Sequence, residues 1–182
     1  MQYKECNING LFVITPNVIK DDRGYFFESF NEKEFINKTG VNINNFVQDN
    51  QSKSCKNVLR GLHFQNPPNA QAKLVRVLSG SVLDVVVDIR KNSPSYGKHY
   101  KIVLSSENFK MLFVPEGFAH GFLTLDDNTI FSYKCNSYYA KESEDSILWN
   151  DIDLNIDWKI NKPILSKKDE IAQKFCSFAS KF

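Results

Sequence analysis

The fold is decided by two stretches, Arg60-Gly61-Leu62-His63-Phe64-Gln65 and Lys73-Leu74-Val75-Arg76-Val77-Leu78. Both read as β-strands, and Pro67-Pro68 lies between them. Because proline cannot donate to a strand ladder, the second stretch is expected to return after a turn rather than to continue the first strand. This arrangement predicts that His63 and Lys73 meet on adjacent strands.

Two glycines, one within the first stretch and one after the second, predict a bulge and a turn. Gly61 lies between Arg60 and His63, which strict alternation would put on opposite faces of the strand. A β-bulge at Gly61 could re-aim one of these two side chains. The stretch from Ser81 to Ile89 begins directly after Gly80 and has apolar side chains at alternate positions, which predicts a tight hairpin with the preceding strand.

Short strands separated by turns fill most of the remaining sequence. This spacing predicts an all-β jelly roll or β-sandwich of about nine strands, with two short helices at its periphery. Asn31 and Gly40 are expected to cap the first helix, and Ser166 to begin a C-terminal one. That second helix would carry three aromatic residues on one face: Phe175, Phe178 and Phe182. The other predicted strands are Ile8 to Ile14 at a sheet edge, Tyr25 to Phe30, the polar stretch Asn45 to Ser54, Tyr100 to Leu104, Lys110 to Val114, and Ile130 to Asn136.

Length and composition exclude several classes of protein. A chain of 182 residues favours one domain, residues 1–182, that can bury a core. Its 23 lysines and arginines nearly balance its 21 aspartates and glutamates, so no basic field indicates a nucleic-acid partner. The four cysteines form no close pair, which favours a reduced, cytoplasmic compartment. No signal peptide is visible, and the most apolar stretch is too short to span a membrane.

Two histidines, His63 and His120, lie on separate predicted strands, an arrangement that metal-binding jelly rolls use. Such sites add a second histidine two positions after the first, and here His63 is followed by Phe64 and Gln65. Lys73 would also bring positive charge beside any cation, and a catalytic divalent ion usually takes at least three protein ligands. The sequence therefore predicts no metal.

His63 is instead a candidate general base. A lone strand histidine is more often a packed core residue, but Arg60, Lys73 and His120 are candidates for the same cavity. A neutral imidazole beside cations resists protonation, which keeps it competent as a base. An ammonium facing it suits proton abstraction next to a carbonyl, because the cation stabilises the enolate oxygen.

Three further residues have two interpretations each. Asp169 could orient the imidazole, as the aspartate of a catalytic triad does, or complete a capping box with Ser166. The two roles compete, and the sequence leaves both open. Tyr133 could supply a proton from the side opposite His63, although a strand tyrosine is more often structural. Glu28 lies between two phenylalanines and is either a charge at the rim or a ligand contact.

With these residues assembled, the chain resembles the nucleotide-sugar epimerases typified by dTDP-4-dehydrorhamnose 3,5-epimerase. The similarity runs from Asp22 to Asp169 and consists of many motifs in one order. These motifs are Asp22-Arg23-Gly24 with Glu28 and Phe30, Phe46-Val47-Gln48-Asp49-Asn50, Val58 to Gln65, Gln71 to Val77, Pro115 to Phe122, Tyr133-Lys134, Ile147 to Asp151, and Leu165 to Asp169.

The resemblance implies a metal-free, cupin-like jelly roll that forms a homodimer. It also implies epimerisation at C3 and C5 of a nucleotide-linked 4-keto sugar, without a cofactor. His63 would be the base, oriented by Asp169. Lys73 would face the sugar carbonyl, and Tyr133 would be the acid. The positions that bind nucleotide, diphosphate or sugar are matched by Arg23, Glu28, Gln48, Asn50, Arg60, His120, Glu144 and Lys168.

Departures from the family pattern near the ligand leave the nucleotide and the sugar open. Gln51 stands where histidine is common, and Asp145-Ser146 replaces a pair of glycines. The leading expectation is conversion of dTDP-4-dehydro-6-deoxy-D-glucose to dTDP-4-dehydro-L-rhamnose. One alternative is the same epimerisation of a GDP-linked 4-keto heptose in capsule biosynthesis. Another is a sugar-binding jelly roll without catalysis, which would not need a base that faces a lysine and an acid.

Overall fold

The computed structural model describes residues 1–43 and 45–182. The strands in these ranges are β1 (Gln2–Glu5), β2 (Phe12–Thr15), β3 (Ile19–Asp21), β4 (Gly24–Phe26), β5 (Gln48–Ser54), β6 (Leu59–Gln65), β7 (Lys73–Ser79), β8 (Ser81–Asp88), β9 (His99–Ser105), β10 (Met111–Val114), β11 (Phe118–Thr124), β12 (Thr129–Cys135) and β13 (Glu144–Ser146). The helices are α1 (Glu32–Thr39) and α2 (Lys167–Glu170), with single 3-10 turns at Lys141–Ser143 and Phe175–Ser177.

Two sheets form a sandwich. The six-stranded sheet has the order β1-β2-β10-β7-β12-β5, and the five-stranded sheet has the order β13-β6-β11-β8-β9. The strands β3 and β4 form a separate hairpin. Neighbouring strands run antiparallel in both sheets and in the hairpin, which confirms the predicted all-β jelly roll. No helix in the described ranges is long and apolar enough to cross a membrane.

The core consists of apolar side chains that the alternating strands turn inward between the two sheets. Val75 and Val77 on β7 meet Val82 and Val86 on β8, and all four are buried. A second cluster covers the outer face of the five-stranded sheet, where the C-terminal segment brings Phe178 onto Phe64 with 5.3 Å between ring centroids. A third cluster packs helix α1 against the β2–β10 side of the six-stranded sheet. The rest of that sheet's outer face, over β7, β12 and β5, presents polar and partly exposed side chains.

The predicted hairpin between the strands on either side of Gly80 is wrong. Both edges of β7 are occupied, by β10 and β12, so β7 has no free edge for β8. The chain turns at Gly80 and crosses to the other sheet, where β8 pairs with β9 and β11. His63 and Lys73 therefore lie on facing strands of opposite sheets, and the prediction that they lie on adjacent strands is also wrong.

The predicted edge strand from Ile8 to Ile14 is wrong in extent and position. The strand is Phe12–Thr15, and it lies between β1 and β10. Ile8 and Leu11 belong to a turn closed by a hydrogen bond from the Leu11 amide to the Ile8 carbonyl at 3.2 Å. Both side chains are buried, so their apolar character reflects insertion into the core from a turn. The strand predicted from Tyr25 to Phe30 is likewise shorter and ends at Phe26.

The first helix forms as predicted, and the C-terminal helix begins after Ser166 as predicted but is too short to include the three aromatic residues. Asn31 caps α1 by accepting a hydrogen bond from the Glu34 amide at 3.0 Å, and Gly40 ends the helix in the left-handed region. Helix α2 has a single turn, and a 3-10 turn at Phe175–Ser177 follows it. The aromatic spacing near the C-terminus serves packing on the outer face of the five-stranded sheet, which an irregular segment achieves as well as a helix.

The predicted β-bulge at Gly61 is present. The pairing of β6 with β11 shifts register between His120 and Phe122, opposite Gly61, whose φ is 133°. A Cβ atom added to Gly61 would lie 2.5 Å from the Cα of Gly121, and one added to Gly121 would lie 2.7 Å from the Arg60 carbonyl oxygen. Two glycines therefore let the backbones of β6 and β11 approach more closely than side chains would allow.

Replacing Gly61 by alanine is expected to destabilise the protein much more than replacing Gly24. Both glycines have φ near 130°, but nothing lies within 4 Å of a Cβ added to Gly24. The two variants share the backbone strain, and only Gly61→Ala adds a clash, which typically costs about 1–3 kcal/mol. Urea unfolding of both variants measures the difference. Equal losses of stability would show that the close approach to Gly121 does not matter.

Candidate active site

A cavity opens between the two sheets at the end where β5, β6, β7 and β12 meet. It has two adjoining parts of about 320 and 160 Å³, and His63, Lys73 and Tyr133 line both. The remaining lining residues of the larger part are Gln48, Asn50, Phe64, Gln65, Gln71, Tyr139 and Glu144. Those of the smaller part are Gln51, Ser52, Arg60, His120, Gly121, Phe122 and Phe131. Because the bulge at Gly61 breaks the alternation of β6, Arg60 and His63 face the same cavity, as predicted.

His63 is held by a buried carboxylate. Its Nε2 atom lies 2.5 Å from Oδ1 of Asp169, whose side chain is 3% exposed against 31% for His63. Burial raises the pKa of Asp169, but hydrogen bonds from His63 and Ser166 outweigh it and leave the pKa below its ordinary value. Asp169 is therefore an anion that fixes the imidazole and can stabilise its protonated form.

Of the two roles that the sequence offered for Asp169, the contact with the imidazole is present, and only the serine half of the capping box forms. The Asp169 amide donates to Oγ of Ser166 at 3.2 Å, so the serine caps α2, and the serine hydroxyl donates to Oδ2 of Asp169 at 2.7 Å. Oδ1 remains free for the imidazole. The expected competition does not arise, because among the described residues the Asp169 carboxylate accepts from the Ser166 hydroxyl and not from the Ser166 amide, and Oδ1 stays available for His63.

Lys73 brings a cation without a fixed partner into the cavity. Burial lowers the pKa of its ammonium, and the nearby Cys135, Asp84 and Glu144 oppose that shift. Within residues 1–43 and 45–182, no hydrogen bond or ion pair engages this ammonium. A buried cation without a partner is costly unless a ligand supplies one. The ammonium is thus free to bind an oxygen atom that enters the cavity.

Tyr133 lies across the cavity from His63, because it belongs to β12 of the six-stranded sheet and His63 to β6 of the five-stranded one. Burial raises the pKa of the phenol, the neighbouring Cys135 and Glu144 add to the rise, and Arg60 opposes it. The hydroxyl therefore keeps its proton at neutral pH. A base and an acid on facing sheets can reach opposite sides of a ligand between them.

His120 forms a second pair with an aspartate, which sequence reasoning missed. Its Nε2 lies 3.0 Å from both carboxylate oxygens of Asp84, and both residues are buried. Asp84 lies on β8 opposite Phe122 and faces the sheet interior. The signal in the sequence was an aspartate that interrupts the most apolar strand, since a carboxylate at such a position needs a buried partner.

The predicted binding residues that reach the cavity come from several elements. Gln48 donates to the Asn50 side-chain oxygen at 3.0 Å, and both side chains point inward from β5. Arg60 is anchored by Ser54 Oγ at 3.3 Å. Lys168 reaches the edge of the cavity by pairing with Glu144 at 2.5 Å. Burial raises the pKa of Glu144, but hydrogen bonds from Lys168 and Tyr139 hold it below its ordinary value.

Two predicted binding residues, Arg23 and Glu28, do not line this cavity. Arg23 is 90% exposed at the tip of the β3–β4 hairpin and pairs with Asp21 at 2.5 Å. Glu28 is exposed and accepts a hydrogen bond from the Asn31 side chain at 3.2 Å. The hairpin lies against Phe109 on the outer side of the six-stranded sheet, away from His63. Among the described residues, no group of three metal-ligating side chains is found.

The family model described as dTDP-4-dehydrorhamnose 3,5-epimerase matches residues 5–177. The chain belongs to this family. A family member from Shigella flexneri is 50% identical over 175 residues, which are 96% of each chain. The crystal structure of a member from Elizabethkingia anophelis NUHP1 has a TM-score of 0.93 and 51% identity, with 97% of each chain covered. The family that the motifs predicted is thus confirmed.

A further solved structure of the family carries a ligand. It is dTDP-6-deoxy-D-glucose-3,5-epimerase from Legionella pneumophila Philadelphia 1 in complex with dTDP-4-keto-L-rhamnose. Its TM-score is 0.93 at 44% identity, covering 98% of this chain and 94% of that one. The likeness extends over the whole sandwich and is not confined to the strands around the cavity.

The contact between His63 and Asp169 is expected to make stability depend on acidic pH. Because the pKa of Asp169 is lower in the folded protein than its ordinary value of 3.8, the unfolded chain takes up the proton first. The stabilisation is therefore complete above that value and disappears as pH falls through the folded pKa. Urea unfolding of the wild type and Asp169→Asn should give a stability difference that shrinks below about pH 4. A difference that stays constant down to pH 2 would contradict the ionised pair.

Proposed function

We propose that this protein inverts C3 and C5 of dTDP-4-dehydro-6-deoxy-D-glucose and so produces dTDP-4-dehydro-L-rhamnose. The observation that carries the proposal is the cavity in which His63, paired with Asp169, faces Lys73 and Tyr133. Membership of the epimerase family and the dTDP-sugar complex of the Legionella relative support the dTDP-linked substrate over a GDP-linked heptose.

His63 acts as the base in this proposal. The hydrogens on C3 and C5 flank the C4 ketone, so the electron pair of either C–H bond can move into the C4 carbonyl and form an enolate. The imidazole takes the proton, and the Asp169 carboxylate fixes the ring orientation and stabilises the imidazolium that results. Because both hydrogens share one carbonyl, one set of residues can serve both inversions.

Lys73 stabilises the enolate oxygen. Its ammonium has no partner among the described residues, so the negative charge that develops on O4 gains a cation without displacing an existing bond. One such contact is worth roughly 3–4 kcal/mol where donors face an oxyanion in a site that excludes water. Burial favours the neutral amine, and the buried carboxylate of Asp84 opposes this and helps to keep the charge.

Tyr133 completes the inversion by giving its proton to the face opposite His63. The C–H bond re-forms with inverted configuration, the enolate returns to the ketone, and the tyrosinate recovers a proton from solvent while the imidazolium releases one. Oxidation states do not change in this sequence, so the reaction itself calls for no redox cofactor. A single residue acting on one face would only exchange the hydrogen.

The other polar residues of the cavity bind the substrate in this proposal. Arg60 and Lys168 supply the charge-assisted hydrogen bonds that a diphosphate requires. His120, oriented by Asp84, is suited to a sugar hydroxyl, and Gln48, Asn50 and Glu144 supply further polar contacts.

We also propose that the protein is a homodimer in which each hairpin serves the partner's site. Ile19, Tyr25 and Phe26 on the hairpin are 60%, 58% and 70% exposed, which is unusual for adjacent large apolar side chains. The hairpin adjoins the part of the six-stranded sheet that helix α1 leaves uncovered, with cavities of about 390 and 340 Å³ there. A second copy on this face would bury the aromatic residues and bring Arg23 and Glu28 to a nucleotide.

The protein is expected to work as one domain, residues 1–182, in the cytoplasm. All four cysteines are free, and Cys55 and Cys176 are exposed. Exposed free thiols persist in a reducing compartment, which supports this location.

Deuterium uptake from heavy water tests the roles of His63 and Tyr133. His63→Ala should abolish uptake into the dTDP-linked 4-keto sugar, because no enolate forms. Tyr133→Phe should still exchange, because His63 can return a deuteron to the original face, while inversion falls by about 10²–10⁴-fold. Mass and configuration of the product are measured together. Tyr100→Phe, a partly buried strand tyrosine outside the cavity, serves as the control.

Two outcomes of this experiment, and one of a parallel assay with a GDP-linked 4-keto heptose, would overturn parts of the proposal. Normal inversion by Tyr133→Phe would exclude Tyr133 as the acid. Turnover of a GDP-linked 4-keto heptose with none of the dTDP-linked sugar would overturn the substrate. If the wild type binds the dTDP-linked sugar but exchanges no hydrogen isotope, the protein is a sugar-binding module and not an epimerase.

Mixed dimers test whether Arg23 acts on the partner's site. Arg23→Ala and His63→Ala should each be nearly inactive as homodimers. When the two are co-expressed, random pairing makes half of the dimers mixed, and each mixed dimer has one site with both residues intact. Activity should therefore return to about a quarter of wild type. No recovery in mixed dimers verified by two affinity tags would show that Arg23 serves its own chain.

A further inference from the structure

The segment Ser137–Ala140, here called the mouth strap, crosses from one sheet to the other at the entrance of the cavity. It follows β12 of the six-stranded sheet and leads to β13 of the five-stranded sheet. Its residues belong to neither sheet, so its peptide groups have no strand ladder to satisfy them. Tyr138 and Tyr139 on the strap are 69% and 55% exposed.

Glutamine side chains from both sheets form hydrogen bonds with the backbone of the strap. The peptide between Tyr138 and Tyr139 is bound at both ends: Gln65 donates to its carbonyl at 3.2 Å, and Gln48 accepts from its amide at 2.9 Å. Gln65 also accepts from the Ala140 amide at 2.8 Å. Gln65 comes from β6 and Gln48 from β5, so the strap is tied to both walls of the cavity.

Gln65 is the most constrained of these side chains. It is 4% exposed, and its second amide hydrogen goes to the Asn69 carbonyl at 2.6 Å. One side chain, two positions after His63, thus links the base strand, the turn after β6 and the strap. Gln71 adds a donor to the Ser137 carbonyl at 2.8 Å. A buried amide with three satisfied bonds has a single orientation, because rotating it would leave buried groups unpaired.

Tyr139 connects the strap to two of the proposed binding residues, Glu144 and Lys168. The Tyr139 hydroxyl donates to Oε2 of Glu144 at 3.1 Å, and Oε1 of Glu144 pairs with Lys168 at 2.5 Å. Fixing the backbone on both sides of Tyr139 therefore fixes the tyrosine ring, the carboxylate and the ammonium in sequence.

We propose that Gln65 is a positioning residue for substrate binding, because it holds the mouth strap so that Tyr139, Glu144 and Lys168 are arranged before the nucleotide sugar arrives. This inference rests on the function proposed above. Its effect falls on binding, since none of the residues it arranges transfers a proton. When these side chains are already in place, binding costs less conformational entropy, because the ligand does not have to order them.

Two replacements of Gln65 test this role. Gln65→Met keeps the size and removes every hydrogen bond, and Gln65→Glu keeps the acceptor for the Ala140 amide but loses both donors. Each is expected to raise KM for the dTDP-linked sugar about tenfold and to weaken dTDP binding equally, while kcat changes less than about threefold. Gln2→Glu on the exposed edge strand β1 controls for the added charge. Calorimetry with dTDP and steady-state kinetics supply the two measurements.

The KM-against-kcat comparison separates positioning from a general loss of structure. Partial unfolding would lower Tm and the amount of active enzyme, and so kcat, with KM unchanged; that result would overturn the proposal, as would unchanged kinetics. Failure of the wild type to bind dTDP would instead count against the proposed function.

Tyr139→Phe tests the route through which Gln65 acts. This variant removes only the hydroxyl that contacts Glu144. If Gln65 acts through Tyr139, the effects of Gln65→Met and Tyr139→Phe on KM should be less than additive in the double variant. Full additivity would show that Gln65 does not work through the tyrosine.

Discussion

The close approach of β6 and β11 at Gly61 and Gly121 is the constraint on which the site depends. It produces the bulge that turns Arg60 and His63 into the same cavity, and no side chain larger than hydrogen fits at either position. The same region receives α2, whose Asp169 accepts hydrogen bonds from both His63 and the Gly61 amide, the latter at 3.4 Å. The same backbone packing that brings β6 and β11 together therefore also helps to orient the His63 imidazole.

The crossing at Gly80 builds the opposite wall. Because β7 is paired on both edges, the chain must change sheets before β8 begins, and Lys73 and Tyr133 stay on the six-stranded side. The sandwich therefore has His63 on one sheet and Tyr133 on the other, so the proposed base and acid can reach opposite faces of a sugar ring between them. This geometry suits a reaction in which a proton leaves one face and another arrives at the opposite face.

Charges in the cavity are arranged so that one cation remains without a partner. His63 and His120 each contact an aspartate, and Glu144 pairs with Lys168. Lys73 alone among these cations has no hydrogen bond or ion pair within the described residues. Asp169 and Asp84 orient the two imidazoles, and in the proposed reaction the Lys73 ammonium is available for the negative charge that develops on the enolate oxygen.

The sequence by itself determined the all-β class, the bulge at Gly61, the caps of α1, and about half of the side chains that line the cavity. These features depend on neighbouring residues, through alternation, proline and glycine placement, and hydrogen bonds three positions apart. Only the tertiary structure decided which strands share a sheet, that Asp84 pairs with His120, that Asp169 contacts both Ser166 and His63, and that Arg23 and Glu28 lie away from the cavity of their own chain. Those outcomes depend on which strand edges are already occupied and on contacts between segments that are far apart in the sequence. The pattern of neighbouring residues predicts neither of these.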